Sequence, residues 1–443
     1  MDGRAPNVVY LHSHDTGRYV QPYGHYVLTP NIQLLADQGV LFRQAFCASP
    51  SCSGSRAAFA TGEYPHTNGM MGLAHRGFHL HDLGHHILHT LRAGAGYHSE
   101  LIGEQHIVQD PREIGYDHVH AISSTHVAQV APRAVEVLRG GLPEPFFLSV
   151  GFFETHRSFF EPSSVRDALY SLPPANLPDL PQVREDMAAF KASARSLDHG
   201  VGAVLMALMV TGLAERTIVV CTTDHGLAFP GSKATLTDRG TGVLLIVRGP
   251  GGFTGGRVVN GLVSQVDVFP TLCEMAGVET PDFVQGRSLM PLVRGEARSI
   301  HDAVFTELTY HAAYEPQRAV RTDRFKYIRR FDEEHPGAVL ANVDDSPTKD
   351  VLADLGWFDR PPDAEQLYDL VADPYEMRNL AGEAAGAPVL DDLRGRLDRW
   401  MRASADPLLD GPVPAPAGAE ISRRTARSAA EPTVTADGRG VAG

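Results

Sequence analysis

Four apolar segments of this chain are each followed by residues that can bind a metal ion or transfer a proton. The four ends combine histidine with acidic residues or arginine: HSHD at 12–15, EQH at 104–106, ETHR at 154–157 and TTDH at 222–225. One loop histidine is usually solvated or bonded to backbone. Four such ends on one edge of a sheet would bring carboxylates and imidazoles together, which is typical of a divalent metal site.

A cysteine close to an arginine is the second chemical feature. Cys52 is followed by Gly54, Ser55 and Arg56, and then by the run AAFATG, which favours a helix. The N-terminus of a helix offers free N–H groups to an anion, and Arg56 adds a charged donor. At such a position we expect an exposed thiol with a lowered pKa. On this stretch alone, a buried and inert cysteine is an equally good interpretation.

These residues require a sheet that brings the four ends to one edge. The apolar runs NVVYL, HSELIG, PFFLSVGFF and RTIVVCTT alternate with helical stretches. This alternation predicts an α/β fold, in which helices flank a mostly parallel central sheet on both faces. Ligands bind beyond the carboxyl ends of parallel strands, and the four polar ends lie there.

The character of the sequence changes after about residue 310. AVRTDRFKYIRRF predicts a hairpin and LDDLRGRLDRWMRAS predicts a helix, which together indicate a smaller α+β subdomain. We therefore divide the chain into an α/β domain at 1–312, a C-terminal α+β subdomain at 313–407 and a tail at 408–443. The tail is rich in Ala, Pro, Gly, Ser and Arg, and we expect it to be disordered.

Composition narrows the classes of function. The net charge of -14 argues against a nucleic-acid partner, because phosphate backbones require a basic footprint. No apolar run is long enough to span a membrane and no signal peptide is visible, so we expect a cytoplasmic protein without a membrane partner. The four cysteines have no CxxC spacing, which argues against a disulfide framework and a structural zinc site. The oligomeric state is left open.

Five stretches of this sequence resemble the sulfatase family of the alkaline-phosphatase superfamily. They are CSGSRAAFATGEYPHTNGM, NVVYLHSHDTG, CTTDHG, GSKATLTDRGTGVLLIVRGP and QLYDLVADPYEMRNLA. The resemblance extends to about residue 405. The sequence around SCSGSR is most similar to that of sulfamidase-like members, the N-sulfoglucosamine sulfohydrolase group. It implies an alkaline-phosphatase-like fold. It also implies a small anionic substrate, a sulfated or phosphorylated sugar or aryl compound, from which a sulfate ester or sulfamate is hydrolysed.

The resemblance also implies a modified nucleophile. In this family a formylglycine-generating enzyme oxidises the cysteine at the position of Cys52 to an aldehyde, and the hydrated aldehyde attacks sulfur. The sulfated hydrate then collapses to the aldehyde and ejects sulfate, so that one difficult step becomes two easier ones. A divalent metal ion acts as the Lewis acid and orients the reacting oxygens.

Individual roles follow from the resemblance. The implied metal ligands are Asp15, Asp224, His225 and the modified Cys52, with His14 as a further candidate. The residues implied to bind sulfate, to handle the nucleophile or to protonate the leaving group are Arg56, Lys233, His106 and His156. Candidates to line the substrate pocket are Asn68, Glu104 and His311. The histidine-rich stretch 75–89 favours a solvated face, with a wall of the pocket as the alternative.

Three departures from the family pattern bear on function. Gly54 stands where the family has a proline, in the motif that the modifying enzyme reads. His14 and His225 replace an aspartate and an asparagine. Imidazole suits manganese or zinc better than calcium, which prefers oxygen ligands, so calcium is the less favoured of the three metals. Glu104 replaces a lysine, and we expect it to turn away, to pair with a cation or to bind a substrate amine.

Two alternative functions stay open on the sequence. The Asp224-His225 pair also occurs in phosphonate monoester and phosphodiester hydrolases of the superfamily, which share this scaffold. Sulfate and phosphate esters are both tetrahedral, so the sequence separates these substrates poorly. The other alternative is a non-catalytic anion-binding relative, inactivated by Gly54 and Glu104.

Overall fold

A computed structural model of the chain describes residues 4–436. Its larger sheet has eight strands: β1 Asn7–Ser13, β2 Val40–Phe46, β3 His98–Gly103, β4 His118–Val119, β5 Phe146–Gly151, β6 Thr217–Thr223, β7 Leu245–Arg248 and β8 Arg257–Ser264. They are arranged in the order β4-β3-β5-β1-β6-β7-β2-β8. Only β7, among these eight strands, runs antiparallel to its neighbours. This arrangement confirms the predicted α/β fold with a mostly parallel sheet.

Helices cover both faces of this sheet. The α-helices in the described part of the chain are α1 Pro30–Gln38, α2 Cys52–Thr61, α3 Pro65–Asn68, α4 Ile87–Ala95, α5 Val127–Gly140, α6 Arg166–Leu169, α7 Pro181–Val210, α8 Asp238–Thr241, α9 Val268–Ala276, α10 Met290–Val293, α11 Pro347–Asp354 and α12 Ala387–Ala403. Val9 and Leu11 of β1 pack with α1, α5 and α7 on one face. Val8 packs with α4 and α9 on the other. Burial on both faces explains why the strands read as continuous apolar runs.

A second, antiparallel sheet lies in the C-terminal part of the chain. Its strands are β9 Val304–Tyr310, β10 Tyr314–Arg321, β11 Phe325–Arg330 and β12 Glu365–Asp369. The order is β12-β11-β10-β9. Leu390, Leu393 and Leu397 recur at helical spacing on α12 and pack on this sheet. β9 begins before the predicted boundary at residue 313, and the domain division stays a prediction.

Most of the predicted disordered tail is packed against the rest of the molecule. Val413 is held from both sides, because its carbonyl accepts a hydrogen bond from the Tyr310 hydroxyl (2.8 Å) and its N–H donates to the Tyr314 hydroxyl (3.1 Å). Ala419 is buried. Two short strands, β13 Glu420–Ile421 and β14 Val434–Thr435, pair with each other. The expectation of disorder therefore differs from the structure at 408–436, and residues 437–443 lie outside the described part.

The topology aligns the strands that carry the predicted chemistry. β3, β5, β1 and β6 are consecutive neighbours in the sheet and run parallel, so all four polar ends lie at the same edge. No helix within residues 4–436 has both the length and the apolar character needed to cross a membrane.

Candidate active site

Cys52 is the first residue of α2, at the carboxyl edge of the large sheet. Its Sγ lies 3.3 Å from Nε2 of His225, which follows β6. All of α2 is buried, and Gly62 ends the helix in the left-handed conformation, with φ +70°. The start of α2 and the end of β6 therefore meet at one point, as the sequence predicts.

The environment of the Cys52 thiol differs from the sequence expectation. Cys52 is 2% exposed. Burial raises the pKa of its thiol well above the ordinary value, and the carboxylates of Asp224 and Asp15 act in the same direction. Lys233 and Arg56 lower this pKa without reversing the sign. The expectation of an exposed thiol with a lowered pKa is therefore wrong, because desolvation outweighs the nearby cations.

Four buried side chains bring potential metal ligands together beside α2. Ligand atoms of His14, Asp15, Cys52 and Asp224 all lie within 4.8 Å of one another, and we call these residues the Cys52 cluster. Among the described residues, Nε2 of His14 has no hydrogen-bond partner. Nδ1 of His14 lies 3.0 Å from Oδ2 of Asp224, and Oδ1 of Asp15 has an imidazole nitrogen nearby, but neither contact has hydrogen-bond geometry. Buried polar atoms without partners are costly. A divalent cation would bind this nitrogen together with the adjoining carboxylate oxygens, so the donor set fits a metal ion.

The backbone at Asp15 is held in an uncommon conformation. Asp15 has φ +50°, in the left-handed region that few residues other than glycine adopt. Its N–H donates to Oδ1 of Asp224 over 2.8 Å. Its Oδ1 lies 3.2 Å from Nε2 of His225. Strain of this kind is typical of functional sites, where surrounding contacts over-determine the geometry.

Two cations flank the Cys52 cluster. Nη2 of Arg56 donates to Oδ2 of Asp224 (3.1 Å) and to the Ser13 carbonyl (2.8 Å). Nζ of Lys233 lies 3.1 Å from Oδ2 of Asp15. Burial alone would raise the pKa of Asp224, but His225 and Arg56 outweigh it and hold that pKa well below the ordinary value. Asp224 is therefore ionised at neutral pH.

Two predicted histidines lie on the open side of the cluster. The His156 ring is edge-on to the His14 ring, with centroids 5.4 Å apart, and its side chain is 28% exposed. Nε2 of His106 lies 2.8 Å from Nδ1 of His75. Burial and the neighbouring His75 lower the pKa of His106 to about 3, so its ring is neutral at physiological pH.

The three predicted pocket residues have different positions. His311 adjoins the site, because its Nδ1 lies 3.0 Å from the hydroxyl of Ser51, the residue before Cys52. Asn68 is a turn residue instead: its amide donates to the Thr61 hydroxyl (3.1 Å), and its Oδ1 accepts from the Met70 N–H (2.9 Å). These bonds use Asn68 within its own turn, so the structure does not bring it to the cluster.

The structure excludes one of the three positions expected for Glu104, the ion pair. Its carboxylate accepts a hydrogen bond from the Thr125 hydroxyl over 3.2 Å. In the described part of the chain it forms no ion pair, which leaves a turned-away side chain or a contact with substrate.

Sequence reasoning missed two side chains near the site. Oδ2 of Asp344 lies 3.1 Å from Nζ of Lys233, and this buried cation holds the pKa of Asp344 below the ordinary value although burial opposes it. Nothing in the local sequence around Asp344 indicates this contact. His75 is exposed, as the solvated-face interpretation predicts, but its contact with His106 was not predicted: Nδ1 of His75 lies 2.8 Å from Nε2 of His106. The run of histidines was the available signal for this contact.

Comparison with known proteins places these features in context. The profile of the family described as Sulfatase matches residues 6–278. A second profile, described as the C-terminal part of N-sulphoglucosamine sulphohydrolase, matches residues 232–352.

Curated relatives cover nearly the whole chain. Human N-sulphoglucosamine sulphohydrolase is 28% identical over 471 residues, which span 92% of this chain and 92% of the human protein. An ulvan-active sulfatase from Formosa agariphila is 28% identical over 463 residues, which span 90% of this chain and 75% of the relative.

Solved structures share the fold at lower identity. A protein solved in complex with its substrate D-glucosamine-2-N,6-O-disulfate superimposes with a TM-score of 0.72 at 19% identity, covering 92% of this chain and 99% of the other. The phosphonate monoester hydrolase of Agrobacterium radiobacter gives 0.67 at 20% identity, with coverages of 93% and 98%. At these identities the likeness shows the fold alone.

Proposed function

The chain belongs to the sulfatase family of sulfuric ester hydrolases, and on that premise we propose that it removes sulfate from a sulfate ester or sulfamate of a small sulfated sugar. The observation that carries this proposal is the buried Cys52 cluster at the start of α2, flanked by Arg56 and Lys233. A helix N-terminus and two cations suit a tetrahedral anion.

Cys52 is the precursor of the nucleophile. Burial keeps its thiol protonated at neutral pH, and a protonated thiol is a poor nucleophile. Conversion to formylglycine removes that obstacle, because the hydrated aldehyde supplies an oxygen nucleophile and a route for sulfate release. The conversion requires a formylglycine-generating enzyme as a partner, which must accept Gly54 in its recognition motif.

The metal ligands are Asp15, Asp224, His14 and His225, together with the modified Cys52. When bound, the ion acts as a Lewis acid on the sulfate oxygens. Burial and Arg56 hold the pKa of His14 well below the ordinary value, so its ring nitrogens are free of a second proton at neutral pH. Two imidazoles in the set favour manganese or zinc over calcium.

The side chains around the Cys52 cluster bind the sulfate, orient the metal ligands and transfer protons. Arg56 orients Asp224, since its Nη2 already bonds that carboxylate. Lys233 binds a sulfate oxygen from the side of Asp15. His156, whose side chain is 28% exposed, protonates the leaving oxygen or nitrogen. His106 is neutral and hydrogen-bonds the nucleophile.

Names of relatives guide the choice of substrates. One relative is an N-sulphoglucosamine sulphohydrolase and one structural neighbour was solved with a disulfated glucosamine. N-sulfoglucosamine is therefore the first substrate to test, followed by an aryl sulfate.

Mass spectrometry of tryptic peptide 44–56 tests the nucleophile. This peptide contains both Cys52 and Cys47, so Cys47 is an internal control. In protein from the native host we expect an aldehyde at position 52 and an alkylatable thiol at position 47. If both thiols are intact and the protein still hydrolyses sulfates, the formylglycine step is wrong.

A substrate panel tests the reaction class. It contains N-sulfoglucosamine, an aryl sulfate, an aryl phosphate diester and a phosphonate monoester, each with Mn²⁺, Zn²⁺ or Ca²⁺ added back after chelation. The Asp224-His225 pair favours the phosphodiester and phosphonate reaction as the second candidate. A clear preference for those two substrates would replace the proposed function by that one.

A further inference from the structure

His12 of β1 contacts the guanidinium group of Arg56. Nδ1 of His12 lies 2.5 Å from Nη1 of Arg56, and both side chains are buried. A guanidinium only donates hydrogen bonds, so Nδ1 is the acceptor and carries no proton. His12 is therefore a neutral imidazole at this contact. It belongs neither to the proposed metal ligands nor to the groups that bind sulfate.

The surroundings of the His12 ring fix its orientation. Because Nδ1 is the acceptor, Nε2 holds the one proton of the neutral ring, and it donates to the hydroxyl of Ser149 on β5 over 3.2 Å. The ring is also stacked on Tyr10, with centroids 4.3 Å apart. A Cβ at Gly151 would lie 2.5 Å from Cε1 of His12, so the glycine makes room for the ring. The imidazole is therefore held by a hydrogen bond, a stacked ring and the neighbouring strand.

Arg56 depends on few contacts for its position. Its Nη2 donates to Asp224 and to the Ser13 carbonyl, whereas its Nε has no hydrogen-bond partner within residues 4–436. Among the described residues, Nη1 has one hydrogen-bond partner, which is His12. Arg56 also borders an internal cavity of about 20 Å³, so packing does not enclose its side chain completely. Without the imidazole, the guanidinium would be bonded through Nη2 alone.

The charge of this acceptor matters as much as its position. Arg56 already contacts one carboxylate, that of Asp224. A second carboxylate, at position 12, would neutralise the guanidinium and weaken its attraction for a sulfate anion. A neutral imidazole accepts the same hydrogen bond without adding a negative charge.

Resting on the proposed function, we propose that His12 is the positioning residue for Arg56: its neutral Nδ1 fixes the guanidinium against Asp224 and leaves the positive charge available to the sulfate group. The contacts form a chain from β5 through β1 and α2 to the end of β6, namely Ser149, His12, Arg56 and Asp224. His12 acts through Arg56 and does not touch the substrate.

Kinetics of His12→Phe test the hydrogen bond. Phenylalanine keeps a ring against Tyr10 but offers no acceptor to Arg56. We expect kcat for the best sulfate substrate to fall about 100-fold with KM nearly unchanged, since a misplacement of about 1 Å in an active site has an effect of that size. An unchanged kcat would overturn the proposal.

His86→Phe is the matched control for this substitution. His86 is as deeply buried as His12 and borders the same cavity, but its Nδ1 accepts from the Leu88 N–H instead of from a residue of the site. The control should lower stability and leave activity per folded molecule unchanged. An equal loss of kcat in both variants would mean that His12 has no more than a structural role.

Two variants of equal size separate position from charge. His12→Asn keeps a neutral oxygen near the place of Nδ1 and should restore most of the kcat that His12→Phe loses. His12→Asp keeps that oxygen and adds a negative charge beside Arg56, which should raise KM about tenfold relative to His12→Asn. A His12→Asn protein without this recovery, or equal KM values for the Asn and Asp variants, would overturn the proposal, and this pair decides it even if His12→Phe does not fold.

Crystal structures separate this proposal from the proposed function. In His12→Phe we expect the Arg56 guanidinium to leave Oδ2 of Asp224, whereas in His12→Asn the two groups should stay about 3.1 Å apart. An unmoved Arg56 in His12→Phe would overturn the proposal whatever the activity. If the wild-type protein hydrolyses no sulfate, the proposed function fails, and these structures alone decide whether His12 positions Arg56.

Discussion

Two buried clusters of acidic and imidazole side chains in this protein are similar in composition and differ in where their cations lie. The Cys52 cluster lies at the sheet edge. The second cluster, which we call the Arg318 cluster, consists of His66, Glu307, Arg318 and Asp406. In both clusters the histidine, acid and thiol groups present ligand atoms within 4.8 Å of one another.

The Arg318 cluster has its cation inside. Nδ1 of His66 lies 2.7 Å from Oε2 of Glu307, and Nε of Arg318 lies 3.2 Å from that same oxygen. Nη2 of Arg318 donates to Oδ1 of Asp406 over 3.0 Å. Arg318 is fully buried. Because the guanidinium lies between the two carboxylates and contacts both, the cluster already contains a cation and needs no metal ion.

The Cys52 cluster has its cations at the flanks and leaves ligand atoms unused. Within the described part of the chain, Nε2 of His14 has no partner, and the contacts of His14 Nδ1 with Asp224 (3.0 Å) and of Asp15 Oδ1 with His225 (3.2 Å) lack hydrogen-bond geometry. The difference teaches that composition alone does not identify a site. An arginine between carboxylates indicates a structural network, whereas unpartnered ligand atoms between flanking cations indicate a place for an ion and an anion.

Cys52→Ala is expected to give the largest effect. Loss of the nucleophile precursor should lower kcat/KM for the best sulfate substrate by at least about 10,000-fold. Stability should change by only about 1 kcal/mol, as for other small core truncations. Cys47→Ala is the matched control, because Cys47 is equally buried and burial raises its pKa as well. Activity in Cys52→Ala close to wild type would mean that this cluster is not the site.

Glu307→Gln is expected to lower stability and to leave activity unchanged, the reverse of Cys52→Ala. It removes a charge beside Arg318, and breaking a buried ion pair costs about 3 kcal/mol of unfolding free energy. Activity per folded molecule should stay at the wild-type level. Urea unfolding and active-site titration measure the two quantities. Comparable stability together with a loss of activity would remove the distinction between the clusters.

The sequence predicted the site's geometry where it depends on strand ends. Asp15 and Asp224 come together because β1 and β6 are parallel neighbours, and alternating elements make that arrangement the expected one. Asp344 was not predictable, since its contact with Lys233 spans 111 positions and requires the second sheet to be folded. The predicted lowering of the Cys52 pKa is wrong for a similar reason. The sequence shows the nearby cations, but it does not show how deeply the thiol is buried.

The fold was predictable to the same extent. Continuous apolar runs indicated the parallel strands. The antiparallel direction of β7 depends on the loop before it, and nothing in the sequence of that loop indicates the direction of the next strand. The tail was misjudged because its composition is typical of disorder, whereas hydroxyl contacts such as Tyr310 to Val413 fix it in place. A few specific bonds can outweigh a compositional average.

Metal binding at the Cys52 cluster should stabilise the folded protein, and the Arg318 cluster should not contribute to this gain. At a metal concentration of about 100 times Kd, the linkage gain in stability is about 2.7 kcal/mol. Thermal unfolding after chelation, with Mn²⁺, Zn²⁺ or Ca²⁺ added, measures it. Asp15→Asn should abolish the gain, and asparagine tolerates the left-handed backbone at this position. Glu307→Gln should keep the full gain. Equal losses in both variants would contradict the assignment of the metal to the Cys52 cluster.

The smallest expected effect is the loss of unfolding free energy when Asp406 of the Arg318 cluster is protonated in acid. Burial raises the pKa of Asp406, but Arg318 outweighs burial and leaves that pKa below its ordinary value near 3.8. The unfolded chain therefore binds more protons at this group than the folded protein does as the pH falls below about 4. The stabilisation is fully present above that pH and is lost as the pH falls through the folded pKa.

Asp406→Asn removes this proton linkage while it keeps the shape of the side chain. The stability difference between wild type and variant, measured by urea unfolding from pH 6 to pH 3, should be constant at first and should then shrink by at most about 1.4 kcal/mol per pH unit. Asp406→Asn leaves the Cys52 cluster unchanged, so activity at neutral pH should follow the folded fraction. A difference that stays constant down to pH 3 would mean that Asp406 is not held ionised by Arg318. The contrast between a cluster with a built-in cation and an ion-binding cluster would then lose its electrostatic basis.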